Sequence, residues 1–275
     1  MSGFYVHTGG GLVTKPRYVK TGSGLKAIDP GGPPGALPLL AELDQVADWS
    51  SALATAPGSV IENVTKDGEA AIRLYQPGDG ERTELTGYMG AGNDMSEGGV
   101  PSHGFEAFYT WEFLIPATSG LYDEDVTVTQ WHGDNNAGYT GGLVIYNAVR
   151  PPEKLWLRVK GGVQTDPSGS HRYTYESDRG VHAIPDSDML TSAFSRDVWN
   201  LVEYHVHWTD QADGFARLRF NGGPWIGPTA YATASNLSED QMFRLGWYPG
   251  SDPIDSNLEM FVRRTQVYGQ AVSYP

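Results

Sequence analysis

From about residue 58 to the C-terminus the chain is written in short segments in which apolar and polar residues alternate. A period of two admits little except β-strands with one face buried. The pattern runs through Glu69 to Tyr75, Phe105 to Ile115, Val126 to His132, Gly142 to Asn147, Leu155 to Val159, Leu201 to Trp208, Phe215 to Phe220, Met242 to Tyr248 and Leu258 to Val267. Asp79-Gly80, Asp213-Gly214 and Asn221-Gly222-Gly223 stand between segments, with the residue types that tight turns demand. So many short, evenly spaced strands predict an all-β sandwich or barrel. A single short helix is predicted ahead of them, where Leu39, Leu40, Leu43, Val46 and Ala47 recur at helical spacing.

The N-terminal stretch is organised differently. Val6-His7-Thr8-Gly9-Gly10-Gly11-Leu12 is echoed by Val19-Lys20-Thr21-Gly22-Ser23-Gly24-Leu25, each copy reading as a small strand with a Gly-rich turn. The run from Pro30 to Gly35 has the composition of a linker. The expected division is therefore residues 1–35 as a repeat and linker segment, with residues 36–275 as the main domain.

Composition closes off several classes. With 33 acidic against 19 basic residues the formal charge is −14, the wrong sign for a protein that displaces counterions from nucleic acid. An anionic polymer would need a locally basic cleft. No apolar run reaches the length of a membrane span, and no cysteine is present for disulfide or thiolate chemistry.

Three segments carry the chemistry. In Gln130-Trp131-His132-Gly133, alternation places Gln130 and His132 on one face and turns Trp131 to the other. In Glu81-Arg82-Thr83-Glu84-Leu85, Arg82 and Glu84 share a face. In Phe243-Arg244-Leu245-Gly246-Trp247-Tyr248, Arg244 and Tyr248 share a face, with Gly246 between them leaving space for a ligand to approach the sheet, while Phe243, Leu245 and Trp247 supply the core side. Each pattern describes a strand lining a cleft and backed by core.

These segments resemble the signatures of the alginate lyases with a β-jelly-roll fold: Arg-Ser/Thr-Glu-Leu, Gln-Ile/Val-His and Tyr-Phe-Lys-Ala-Gly-x-Tyr, in that order. The Gln130-Trp131-His132-Gly133 form is closer to the glucuronan- and heparin-lyase-like jelly rolls. So are Trp199 to Trp208, Asp213-Gly214-Phe215 and Phe220-Asn221-Gly222. Arg244 stands where the third signature has Lys, and Pro249-Gly250 follow Tyr248 where a Gln often stands.

The resemblance covers roughly residues 58 to 270. It implies a concanavalin-like sandwich of two antiparallel sheets with a concave substrate cleft, and cleavage of a uronic-acid polysaccharide by β-elimination. It also implies roles: Gln130 and Arg82 hold the uronate carboxylate, His132 or Tyr248 removes the C5 proton, and Tyr248 protonates the leaving oxygen. Arg244, Glu84, Trp247 and His205 are expected to bind substrate. No cofactor and no catalytic metal is expected.

Other readings attach to the same residues. Arg82 and Glu84 are also explained by an ion pair, and His132 and Tyr248 by packing. His205 and His207 stand two apart on a strand, as metal ligands can, without an evident third ligand. His103, His171 and His182 fall in loop-like stretches. Asp123-Glu124-Asp125 and Asp186-Ser187-Asp188 read as solvated turns, with a structural calcium the alternative. A non-catalytic carbohydrate-binding tail protein is the second hypothesis. A glycoside hydrolase is the third, disfavoured because Glu84 lacks a partner carboxylate across the cleft.

The N-terminal repeat resembles leader segments of bacteriophage tail proteins. Since Met1 to His7 carry no secretory pattern, the chain is expected in a virion or outside the cell. Its partner would be an anionic polysaccharide rather than nucleic acid or membrane, with a homo-oligomer or a tail component as its assembly.

Overall fold

The architecture comes from a computed structural model. It describes residues 7–8, 11–12, 17–21, 24–28, 37–78, 80–88, 105–120, 126–133, 139–146, 154–159, 194–208, 214–225, 241–249 and 256–269. Side chains before residue 37, between 132 and 160, and at Tyr88, Phe105, Gln241 and Met242 lie outside that description.

Alternation becomes pairing. The strands are β1 (His7–Thr8), β2 (Gly11–Leu12), β3 (Arg17–Thr21), β4 (Gly24–Ile28), β5 (Leu39–Glu42), β6 (Ser51–Ala54), β7 (Val60–Lys66), β8 (Glu69–Gln76) and β9 (Thr83–Tyr88). They continue with β10 (Phe105–Leu114), β11 (Val126–Gly133), β12 (Tyr139–Tyr146), β13 (Lys154–Val159), β14 (Asn200–Trp208), β15 (Phe215–Phe220), β16 (Gln241–Tyr248) and β17 (Leu258–Gly269). One sheet has six strands in the order β13-β12-β11-β16-β9-β6. The other has seven, running β15-β14-β10-β17-β8-β7, with β5 pairing β17 as well. Every pairing is antiparallel, and the element order carries the crossovers of a jelly roll rather than a simple meander.

The expected helix over Leu39–Ala47 is not formed. Leu39–Glu42 is a strand that pairs Tyr268, Val267 and Gln266 of β17, and only Val46–Asp48 makes a 3₁₀ turn. The ladder supplies backbone partners that a lone amphipathic turn lacks, so tertiary pairing overrides the spacing. Leu43 then drops into the core beside Trp49, whose indole N–H donates to the Leu43 carbonyl at 3.2 Å.

Between the sheets lies an aromatic core. Trp131 of β11 stacks on Tyr204 of β14 (centroids 4.1 Å apart) and lies near-parallel to Phe243 of β16 (5.7 Å). Tyr109, Trp111 and Trp208 close around it at 5.5–6.4 Å. Stacked and edge-on contacts of this kind add to the hydrophobic gain from burial. Because strand side chains alternate, burying Trp131, Phe243 and Leu85 on the inner face turns Gln130, Arg244 and Glu84 outward on the six-stranded sheet.

The β7–β8 hairpin turns through Asp67 (φ 55°) and Gly68 (φ 81°), the two positive φ values a type I′ turn requires. In the N-terminal repeat, each copy forms the same hairpin rather than one strand and a turn. His7 pairs Leu12 as Lys20 pairs Leu25, and Thr8 pairs Gly11 as Thr21 pairs Gly24. These hairpins belong to neither sheet of the sandwich.

Candidate active site

Three neighbouring strands of the six-stranded sheet bring the outward-facing residues together. Along one row, Thr86 of β9 is opposite Arg244 of β16, and Arg244 is opposite Gln130 of β11. Glu84 lies one step along β9, opposite Gly246. The ladder shifts between Thr127 and Thr129, where β16 carries an extra residue near Gly246, a bulge of the kind that re-aims side chains beside functional sites.

Glu84 is the hub. Its Oε1 accepts a hydrogen bond from the Gln130 amide Nε2 at 2.6 Å, and its Oε2 lies 3.0 Å from the Arg82 Nε. The Arg82 guanidinium sits over the Tyr248 ring, 4.4 Å from its centroid. One cluster from three strands thus joins Gln130, Glu84, Arg82 and Tyr248, with Arg244 near enough to act electrostatically on Glu84. Burial pushes the Glu84 carboxyl above the usual carboxylate range, opposed by the charge of Arg82, the hydrogen bond from Gln130 and the charge of Arg244.

This changes the expectation for Glu84. Its side chain is fully buried and its oxygens face Gln130 and Arg82, so it is turned to its neighbours on the sheet and not to solvent.

Trp247 and His205 also stand elsewhere than expected. Trp247 is fully buried, with its indole N–H directed at the Leu74 carbonyl (3.4 Å), because the odd positions of β16 face the core. It is a core residue, not a substrate platform. His205 lies on β14 in the other sheet, on that sheet's outer face, where its Nε2 is 2.5 Å from Glu106 Oε1. Both sheets separate it from Gln130. Nor does Gly246 make room for a ligand. At φ +150° an added Cβ would stand 2.2 Å from the Thr83 carbonyl oxygen, so the glycine admits the backbone of β9.

His132 is paired with Met242 in the β11–β16 ladder, while its side chain lies outside the described residues. The same holds for His103, His171 and His182 and for the acidic runs Asp123–Asp125 and Asp186–Asp188. Among the described residues no group of three His, Asp or Glu side chains could hold a metal ion.

Sequence reasoning passed over Thr86. Its hydroxyl is buried without a hydrogen-bond partner on the site face, directly opposite Arg244. The only signal for it is that it stands two residues beyond Glu84 on the same strand face.

The cluster offers an amide and two guanidiniums, donors suited to a carboxylate, beside a phenol that can donate a proton. Solved structures share the fold. The endo-β-1,4-glucuronan lyase of the fungus Trichoderma reesei superposes with a TM-score of 0.63 at 14% identity, covering 82% of this chain and 93% of that one. Alginate lyase vAL-1 from Chlorella virus gives 0.56 at 11% identity (85% and 100% covered). The PL-14 alginate lyase from Aplysia kurodai gives 0.54 at 9% (84% and 98%). Comparison with curated proteins finds no match. The model of a family described as polysaccharide lyase matches residues 42–268, nearly the whole sandwich, and the chain belongs to that polysaccharide lyase family.

Proposed function

We propose that this lyase cleaves a uronic-acid polysaccharide by β-elimination across the outer face of the six-stranded sheet. The observation that carries the reading is the single cluster of Arg82, Glu84, Gln130 and Tyr248, with Arg244 beside it. The neighbours named for glucuronan and alginate cleavage support the substrate class.

In this mechanism the uronate carboxylate lies against the remaining N–H groups of Arg82 and Gln130. As the C5–H bond breaks, its electron pair moves towards the carboxylate, and those donors stabilise the growing charge. The pair then forms the C4–C5 double bond while the C4–O bond to the neighbouring sugar breaks. Tyr248 gives its phenolic proton to the departing oxygen. His132 takes the C5 proton in one assignment; in the other Tyr248, its own proton given up beforehand, takes the C5 proton and passes that same proton to the departing oxygen. Arg244 holds the carboxylate of an adjacent sugar, supplying the local positive charge that a chain of net −14 needs to attract a polyanion.

The test is a panel of polyglucuronate, polymannuronate and polyguluronate, followed by the ultraviolet absorbance of the unsaturated product. Growth with at least one polymer is expected, and Tyr248→Phe should abolish it. His132→Ala chooses the base: lost turnover assigns His132, and retained turnover assigns Tyr248. Retention of the polymer without cleavage would instead make the chain a binding protein.

We read residues 1–35 as an attachment segment and the chain as a virion-associated depolymerase. The repeated hairpin, outside both sheets of the sandwich, supports this. A chain beginning at residue 36 should keep its melting temperature and lyase activity. Loss of the fold would join the hairpins to the sandwich.

A further inference from the structure

Both oxygens of Glu84 face other side chains of the site. Oε1 takes a hydrogen from Gln130, and Oε2 faces Arg82. An ionised carboxylate can only accept, so the Gln130 amide must keep its NH₂ end towards Glu84. The second N–H of that amide and the Arg82 guanidinium are thereby held near one another, because Glu84 accepts a hydrogen bond from one and ion-pairs with the other. A protonated Glu84 would carry an O–H to donate. The Gln130 amide could then answer it with its carbonyl oxygen by a half-turn about its last side-chain bond. The edge beside Arg82 would then present an oxygen where a uronate carboxylate needs a donor.

We propose that Glu84 is the positioning residue of this site, fixing the donor edge of Gln130 beside Arg82, and that its protonation turns the amide over and switches turnover off. This rests on the β-elimination reading above. Among the described residues, the charged and titratable groups on this side of Glu84 are Arg82, just ahead of its own strand, and Arg244 and Tyr248 on β16. β11 contributes the neutral Gln130, and Ser51–Ala54 of β6 bring no charge. The buried setting raises the carboxyl above its ordinary range, against the pull of Arg82, Gln130 and Arg244, which is the direction a proton-operated switch needs.

The experiment has two arms. In the first, kcat, KM and melting temperature of wild type and Glu84→Gln are measured across acidic to neutral pH. The neutral amide no longer compels Gln130 to donate, so kcat at neutral pH should fall by roughly 10- to 1000-fold, up to the loss expected for a missing charge-stabilising donor. KM should change less, and the acid limb of kcat should flatten. Wild-type kcat with an unchanged acid limb would overturn the proposal, whatever happens to the melting temperature.

The second arm needs only the wild-type fold, and serves if Glu84→Gln does not fold. The side-chain NH₂ resonances of Gln130, assigned by their loss in Gln130→Ala, are followed by ¹H–¹⁵N NMR over the same pH range. They should shift in one step that coincides with the acid limb, and resonances constant through that limb would overturn the proposal. A chain that cleaves no polyuronate yet shows the titrating amide retains the Glu84–Gln130 coupling and loses the substrate reading. A chain that cleaves while its amide stays constant loses only the role of Glu84.

Discussion

The two outer faces of the sandwich use charge in opposite ways. On the seven-stranded sheet, described carboxylates sit in ion pairs and bridges. Glu203 pairs Arg219 at 2.5 Å, Glu112 bridges Arg263 and Arg264 at 2.7 and 2.9 Å, Glu62 and Glu259 flank Arg73 at 2.9 and 2.6 Å, and Glu106 meets His205. Arg264 reaches Glu112 from a left-handed backbone position (φ 53°), at a bulge that sets it beside Arg263. On the described part of the six-stranded face, one carboxylate, Glu84, stands among two guanidiniums, an amide and a phenol. The first face ties these described carboxylates to Arg and His partners. The second sets one described carboxylate among several donor side chains, the local environment an anionic ligand would need. Similar pairing chemistry thus covers a sheet surface on one side and builds a candidate site on the other.

Substitutions can break or sharpen this contrast. The largest effect should come from Tyr248→Phe, which removes the proton donor and leaves the ring under Arg82. We expect kcat about 10²- to 10⁴-fold lower, with an unchanged melting curve. Trp131→Ala removes what both faces lean on. Replacing this fully buried indole by a methyl should cost about 3–5 kcal/mol in chemical denaturation, lowering stability and activity together. Arg244→Ala should lower kcat/KM by roughly 10- to 100-fold, mostly through KM, the worth of a hydrogen bond to a charged partner. It should also weaken the salt dependence of binding. On the other face, replacing Glu203 and Arg219 together by Leu and Met should change stability by little and activity not at all, since a buried pair is often neutral against a well-packed apolar substitute.

The smallest effect is a pH dependence of opposite sign on the two faces. Burial, assisted by Arg217 and opposed by Glu106, holds His205 below its ordinary value of 6.5. The unfolded chain therefore takes up that proton first as pH falls. The stability His205 contributes is present above about 6.5 and lost as pH drops through the folded value. Glu84 is shifted upwards, so the folded state takes its proton first and acidification through that window favours the fold. His205→Gln should flatten the acid decline of the melting temperature without altering the acid limb of kcat. An altered limb would tie the two faces together.

Much of this was legible in the sequence because alternation is local. Phe215 to Phe220 was bounded to the residue, and the facing of Gln130 against Trp131 followed from the period alone. Registers between strands distant in sequence are not local, and no single segment carries them. His205 has a polar alternation like that of Gln130, and nothing in its own strand says that β14 belongs to the opposite sheet. For Trp247 the resemblance implies substrate binding, while its strand parity places it in the core with Phe243 and Leu245. The spacing of Leu39, Leu40 and Leu43 fitted a helix until β17 offered its edge. That Glu84 holds Gln130, 46 residues away, follows from β9 and β11 flanking β16, a neighbourhood no segment encodes by itself.

The most direct test of the central claim is the fate of solvent oxygen. Cleavage of a uronic-acid polymer in heavy-oxygen water, followed by mass spectrometry of the fragments, separates elimination from every hydrolytic alternative. β-Elimination at the Arg82–Gln130–Tyr248 face should give unsaturated fragments one water lighter than hydrolysis products, with no label incorporated during cleavage. Fragments that gain one labelled oxygen at each break would contradict the account.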